Sequence, residues 1–287
     1  MPFNGYQTYY RIVGDRQSNK TPLVLLHGGP GSTHNYGEGF DDQAVQTGRP
    51  SVMDDQLGCG RSSRPDDDKL LQAATWVVEL QALRTCLELP VIHLLGQSWG
   101  GMLAIIYGCD YRPQGIKSLI LASTLSSARL WAQEQHRMIR LMSPADQSAI
   151  ATAERLQDFT GAAYLTANQH FMTQHASGPI TADDPEFLRR SKRVGTTAYN
   201  VAWGPNEYNP TGTLADYEYT DRLQYLQMST LVTSGTDDLC TPLVAKTMVD
   251  QLPHATWTLF LRSRHMAFID ETTAYMTRLR HWLAAHD

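Results

Sequence analysis

The chain has 287 residues, 42% hydrophobic and 18% charged, enough to bury a full core as one large domain or one domain carrying an insertion. The formal net charge of −5, with no block of like charges, excludes a nucleic-acid footprint or an anionic-membrane surface and fits a small neutral or cationic ligand. No apolar stretch reaches the ~18 residues of a membrane span, and MPFNGYQTYY lacks a basic segment followed by an apolar one, so a cytoplasmic protein is expected, attachment to the cell envelope staying open.

In chain order, short β-branched runs at 21–27, 50–54, 91–96, 117–122, 230–234 and 256–261 read as buried parallel strands. Helical stretches lie between several of them, at 75–89 with Trp76, Leu80, Leu83 and Leu87 on one face, at 99–109 and at 243–251. Such alternation predicts a mostly parallel, doubly wound α/β sheet covered on both faces. It stops after Ala122 and resumes near Thr230, which marks an inserted helical subdomain. Ser143-Pro144-Ala145-Asp146 and Asp184-Pro185-Glu186 read as helix starts inside it, each with a capping residue before proline. The Gly- and Pro-bearing segment 203–212 leads back to the sheet. The expected division is a core at 1–124 and 216–287 with a helical cap at 125–215.

Gly96-Gln97-Ser98-Trp99-Gly100-Gly101 falls where a strand ends and a helix begins, the setting of the nucleophile elbow of the α/β-hydrolase fold. A serine on so sharp a turn takes a strained backbone, and the flanking glycines let neighbouring chain segments approach. A serine there also excludes the branch of this fold that attacks with an aspartate. In this fold an acid and then a histidine follow the nucleophile on loops after later strands. Of ten histidines only His265 follows the last strand at the end where the serine sits. The acid belongs to the loop after strand 230–234, where Asp237 and Asp238 both qualify; the other one is expected to cap the helix near Pro242.

His27-Gly28-Gly29-Pro30-Gly31 closes the first buried strand and offers a flexible loop beside the elbow, so the amides of Gly29 and Trp99 are the expected oxyanion donors. His27 itself reads as a structural histidine satisfied by backbone. Gly58-Cys59-Gly60 lacks the third glycine of a dinucleotide loop and reads as a turn. Cys59, Cys86, Cys109 and Cys240 are too few and too scattered for a disulfide framework and read as free thiols. Without H-E-x-x-H, a P-loop lysine or zinc spacing, no metal or nucleotide cofactor is expected.

Together with Asp55-Gln56-Leu57-Gly58-Cys59-Gly60-Arg61-Ser62, the glycine-rich loop and the elbow make the chain resemble the proline iminopeptidases along almost its whole length. The segments 93–98 and Trp203-Gly204-Pro205-Asn206-Glu207-Tyr208 are similar in particular to the compact enzymes of lactic acid bacteria. The resemblance implies Ser98 as nucleophile and His265 as base. Its Asp-x-x-Thr-Pro pattern selects Asp238 as the acid, and its Gly-Pro-Asn-Glu context assigns Glu207 to the substrate's cationic N-terminus. Leu239 stands where some relatives carry a second glutamate, Leu57 replaces a common arginine, and the N-terminus is expected to lack the family's first strand.

The resemblance thus implies release of N-terminal proline from small peptides through an acyl-enzyme. A related aminopeptidase, a Pro-X dipeptidase, an amino-acid amidase or an esterase stays open as the alternative, with a non-catalytic ligand receptor behind them. The partners expected are peptides with a free N-terminus, neither nucleic acid nor membrane; a homo-oligomer is compatible.

Overall fold

The computed structural model describes residues 1–287. A small antiparallel hairpin, β1 (Pro2–Phe3) and β2 (Tyr6–Gln7), opens the chain and runs into β3 (Tyr9–Val13). There follow β4 (Leu23–Leu26), α1 (Asp41–Thr47), β5 (Ser51–Asp55), α2 (Ala73–Cys86), β6 (Ile92–Gln97), α3 (Trp99–Ile106) and β7 (Ile116–Ala122). Five helices then come without a strand between them: α4 (Ala128–Ile139), α5 (Pro144–Leu156), α6 (Ala162–His175), α7 (Glu186–Arg189) and α8 (Thr196–Ala202). The chain closes with β8 (Ser229–Gly235), α9 (Pro242–Gln251), β9 (Ala255–Phe260), α10 (Ala267–Asp270) and α11 (Thr272–Ala285). No helix is long and apolar enough to cross a membrane.

Seven strands form one sheet in the order β3-β5-β4-β6-β7-β8-β9, all parallel except β3, which runs antiparallel to β5. Side chains alternate across a strand, and β4 shows the result. Leu23 and Leu25 enter the core layer under α11, with Phe268, Tyr275 and Leu279; Val24 and Leu26 enter the opposite layer under α2 and α3, with Trp76, Leu80 and Met102. Two apolar layers on one sheet explain why the central strands read as continuous hydrophobic runs.

Two expectations are corrected, and one strand is added that the sequence did not announce: β3 pairs with β5 from Tyr9–Asp55 to Val13–Ser51, and Arg11 anchors it by two bonds to Asp41 at 3.0 and 2.7 Å. All five residues of β3 are only half buried, which is why no apolar run announces it. The start at Asp184-Pro185-Glu186 yields a single turn, and Asp184 caps nothing; its carboxylate accepts from the amide and hydroxyl of Thr181 at 2.6 and 2.9 Å. The cap of α9 is Thr241, not the spare aspartate. Asp237 is exposed, and its carbonyl accepts from His175 Nδ1 at 2.9 Å. By contrast, Ser143 caps α5 as its sequence predicts, its hydroxyl accepting from the Asp146 amide.

Candidate active site

Ser98 stands between β6 and α3 with φ 54° and ψ −122°, a left-handed conformation that side chains rarely adopt. The surrounding glycines hold it there. A Cβ at Gly96 would strike the backbone of Gly100, a Cβ at Gly100 would strike Leu26 O, and one at Gly101 would meet Thr124 at 2.5 Å. The Ser98 amide donates to Ala122 O at 2.9 Å, and Thr124 Oγ1 donates to Ser98 O at 2.6 Å, so both sides of the turn are tied to β7 and the residues after it.

His265 and Asp238 meet in the loops after β9 and β8. His265 Nδ1 donates to Asp238 Oδ1 at 2.7 Å, which leaves Nε2 as the free nitrogen. Asp238 is fully buried and saturated with donors: Cys240 N at 2.8 Å on Oδ1, Ser123 Oγ at 2.6 Å and Gly235 N at 3.0 Å on Oδ2. A carboxylate so surrounded is held in one orientation, which is what aligning an imidazole requires. Gln97 Nε2 donates to the His265 carbonyl at 3.3 Å, and the Trp131 ring lies edge-on to the imidazole with centroids 6.1 Å apart. Ser98 and His265 line one cavity of about 360 Å³ together with Gly28, Gly29, Leu239 and Glu207. The structure does not close a hydrogen bond between Ser98 Oγ and His265; such bonds often tighten only with substrate.

The glycine-rich loop lies directly against the elbow. A Cβ on Gly28 would come within 2.7 Å of Gln97 Oε1 and 3.0 Å of Ser98 Cβ, so only glycine permits this approach. The Gly28 amide is consumed by the Tyr36 hydroxyl, which in turn donates to Gln97 Oε1 at 2.8 Å. The next amide, Gly29 at φ 111°, makes no bond within the chain, and Trp99, as first residue of α3, has no acceptor inside its helix. The Trp99 side chain faces the core, its Nε1 donating to Gln56 Oε1 at 2.8 Å and its ring edge-on to Trp76.

Glu207 reaches the cavity from the segment after α8. Tyr199 Oη donates to its Oε1 at 2.9 Å and Trp131 Nε1 to its carbonyl at 2.8 Å, while Oε2 has no protein partner. Burial pushes its carboxyl above the ordinary glutamate range, against the pull of His265 and of the Tyr199 hydroxyl. Leu239 is buried beside it, its carbonyl accepting from Gln135 Nε2 at 2.7 Å. Tyr36, Ser123, Tyr199 and Trp131, the props of these residues, carry no motif that sequence reasoning could have used.

The one cluster with metal-ligand chemistry, His27, Asp55 and Cys59, does not fit a metal. His27 Nδ1 donates to Gly28 O at 2.8 Å and Nε2 accepts from Gln56 N at 3.1 Å. Asp55 accepts from His34 and Arg61 at 2.8 Å each, and burial holds Cys59 as a thiol. These residues brace the glycine-rich loop.

A strained serine backed by a helix N-terminus and sharing a cavity with a carboxylate-held histidine, on a sheet of this topology, defines an α/β hydrolase. The family model described as alpha/beta hydrolase fold matches residues 21–272. The chain is 94% identical to the proline iminopeptidase of Lactiplantibacillus plantarum, over 100% of both chains, and 71% identical to that of Levilactobacillus brevis, over 100% of this chain and 96% of the relative. Among solved structures, the proline iminopeptidase of Mycobacterium smegmatis superposes with a TM-score of 0.87 at 28% identity, covering 99% of this chain and 97% of that one. VinJ superposes at 0.92 with 30% identity, covering 100% and 98%. The chain belongs to the proline iminopeptidases of the alpha/beta hydrolase family.

Proposed function

We propose that the chain is a serine exopeptidase that releases N-terminal proline from small peptides through an acyl-enzyme. Ser98 Oγ attacks the proline carbonyl as His265 Nε2 takes its proton, and Asp238 fixes the histidine tautomer and stabilises the imidazolium. The Gly29 and Trp99 amides receive the oxyanion, helped by the positive end of α3. His265 then protonates the leaving amine, and water frees proline by the same steps in reverse. No cofactor takes part.

The observation that carries the peptidase reading is Glu207. A carboxylate with one oxygen unpartnered, in the cavity of the serine and histidine, suits a cationic imino terminus, which forms a charge-assisted hydrogen bond. An acyl ester has no such group to offer. We read residues 125–215 as a cap over a core formed by 1–124 and 216–287, because Glu207 of this insertion lines the cavity with Ser98 and His265, and Trp131, also of the insertion, packs edge-on to the His265 ring. The four free cysteines support a reducing compartment, the cytoplasm, as its place of work.

A panel of aminoacyl naphthylamides tests the reading. Proline naphthylamide should be turned over fastest and its N-acetyl form not at all; preference for a simple nitrophenyl ester with no turnover of any aminoacyl amide would replace the peptidase by an esterase.

A further inference from the structure

Five charged side chains besides His265 line the cavity, namely Glu207, Asp184, Lys192, Arg264 and Asp270. Arg264 and Asp270 neutralise each other, with Nη2 to Oδ1 at 2.8 Å and Nε to Oδ2 at 3.2 Å. Asp184 is occupied by the amide and hydroxyl of Thr181. Lys192 differs. It is half buried, yet no carboxylate lies within 4.0 Å of its ammonium and no oxygen of the chain accepts from it. Its neighbour Arg190 is paired with Glu38 and Glu186, so the uncompensated charge is that of Lys192.

The segment carrying Lys192 is not a loose loop. The Arg193 carbonyl accepts from Gly60 N at 2.8 Å and Arg64 Nη2 at 2.6 Å, and Gly195 N donates to Gly31 O at 2.6 Å. Gly31, Gly58 and Gly195 pack backbone to backbone; a Cβ on Gly195 would sit 2.5 Å from Gly58 O. Lys192 is thereby fixed to the glycine-rich loop that flanks Ser98. Burial, reinforced by Arg190, pulls its ammonium below the ordinary lysine range, the mark of a cation lacking a partner.

We infer that Lys192 binds the C-terminal carboxylate of short substrates, so that the cavity reads both ends of a di- or tripeptide, Glu207 the cationic end and Lys192 the anionic one. This rests on the aminopeptidase reading and narrows its substrate class. Short peptides with a free carboxylate are then preferred over their amides, because only the former bring Lys192 its missing partner.

The test is kcat/KM for release of proline from Pro-Gly and Pro-Gly-Gly and from their C-terminal amides, with the wild type, Lys192→Met and Lys192→Arg. A charge-assisted contact at a half-buried lysine should give a carboxylate-to-amide ratio of about ten in the wild type, carried mainly by KM. The ratio should fall to about one in Lys192→Met and be largely kept in Lys192→Arg. A wild-type ratio near one, or an undiminished ratio in Lys192→Met, overturns the inference while proline release continues. The wild-type comparison needs no variant to fold. Should Pro-Asp amide match Pro-Gly, the carboxylate read is a side chain and the chain-end reading falls. Absence of proline release from every form sinks the aminopeptidase reading itself.

Discussion

Replacing Glu207 by glutamine separates a functional carboxylate from a structural one. The amide keeps the length of the side chain, can still accept from Tyr199 Oη through its oxygen, and leaves the Trp131 bond to the main chain untouched. What it removes is the negative charge at the unpartnered oxygen. A charge-assisted hydrogen bond to substrate is worth about 1.5–3 kcal/mol, so kcat/KM for proline naphthylamide should fall about ten- to a hundred-fold. Nitrophenyl acetate never uses the contact, and its hydrolysis serves as the internal control. Stability should move the other way. Because the folded state raises the Glu207 pKa, the native protein keeps this proton over a pH range in which the unfolded chain has lost it, so ionising Glu207 costs stability as pH rises through that range. Glutamine has no charge to bury, and Glu207→Gln should melt no lower than wild type at neutral pH. The same raised pKa predicts that acidification raises KM for proline naphthylamide in the wild type, and that Glu207→Gln lacks this dependence. Equal losses on amide and ester, or a lowered melting temperature, would refute the assignment and leave Glu207 a structural residue.

Asp238→Asn should lower kcat by about 10⁴-fold, as expected for a lost orienting carboxylate, whereas Asp237→Asn, exposed and bonded only through its backbone, should behave as wild type; the opposite ranking would move the acid to Asp237. Glu79, buried under the segment that carries Leu57, has its carboxyl pushed up by burial from 4.5 to about 7, against the Leu57 amide and Thr8 hydroxyl. The native state thus holds an extra proton across that window, so this group makes stability fall as pH rises from 4.5 to about 7, by at most about 3 kcal/mol. Chemical denaturation of Glu79→Gln should show a shallower decline than wild type over the same range, and parallel curves would contradict it.

The parts of the molecule legible in the sequence are those where one physical demand dominates. Strands buried on both faces favour apolar runs, and an elbow needs glycines wherever backbones touch, so β4, β6, β7, β8 and the Ser98 turn are readable directly. The edge strand β3 is half buried along its length, and Tyr-Tyr-Arg-Ile-Val has neither alternation nor an apolar run to reveal it. The two aspartates after β8 look alike as residues; only folding gives Asp238 its four donors and leaves Asp237 in solvent. Ser123 and Trp131 act across tertiary contacts, Ser123 115 residues from Asp238 and Trp131 76 residues from Glu207 along the chain, and no local pattern encodes that reach.

The central claim, proline release through an acyl-enzyme on Ser98, is tested most directly by a phosphonate that carries a free prolyl terminus, with mass spectrometry of the labelled protein. A single adduct on the Ser98 peptide, absent from Ser98→Ala and slowed strongly by N-acetylation of the reagent, is the predicted result. An adduct on another residue, or labelling of Ser98 that ignores the acetyl group, would contradict the account.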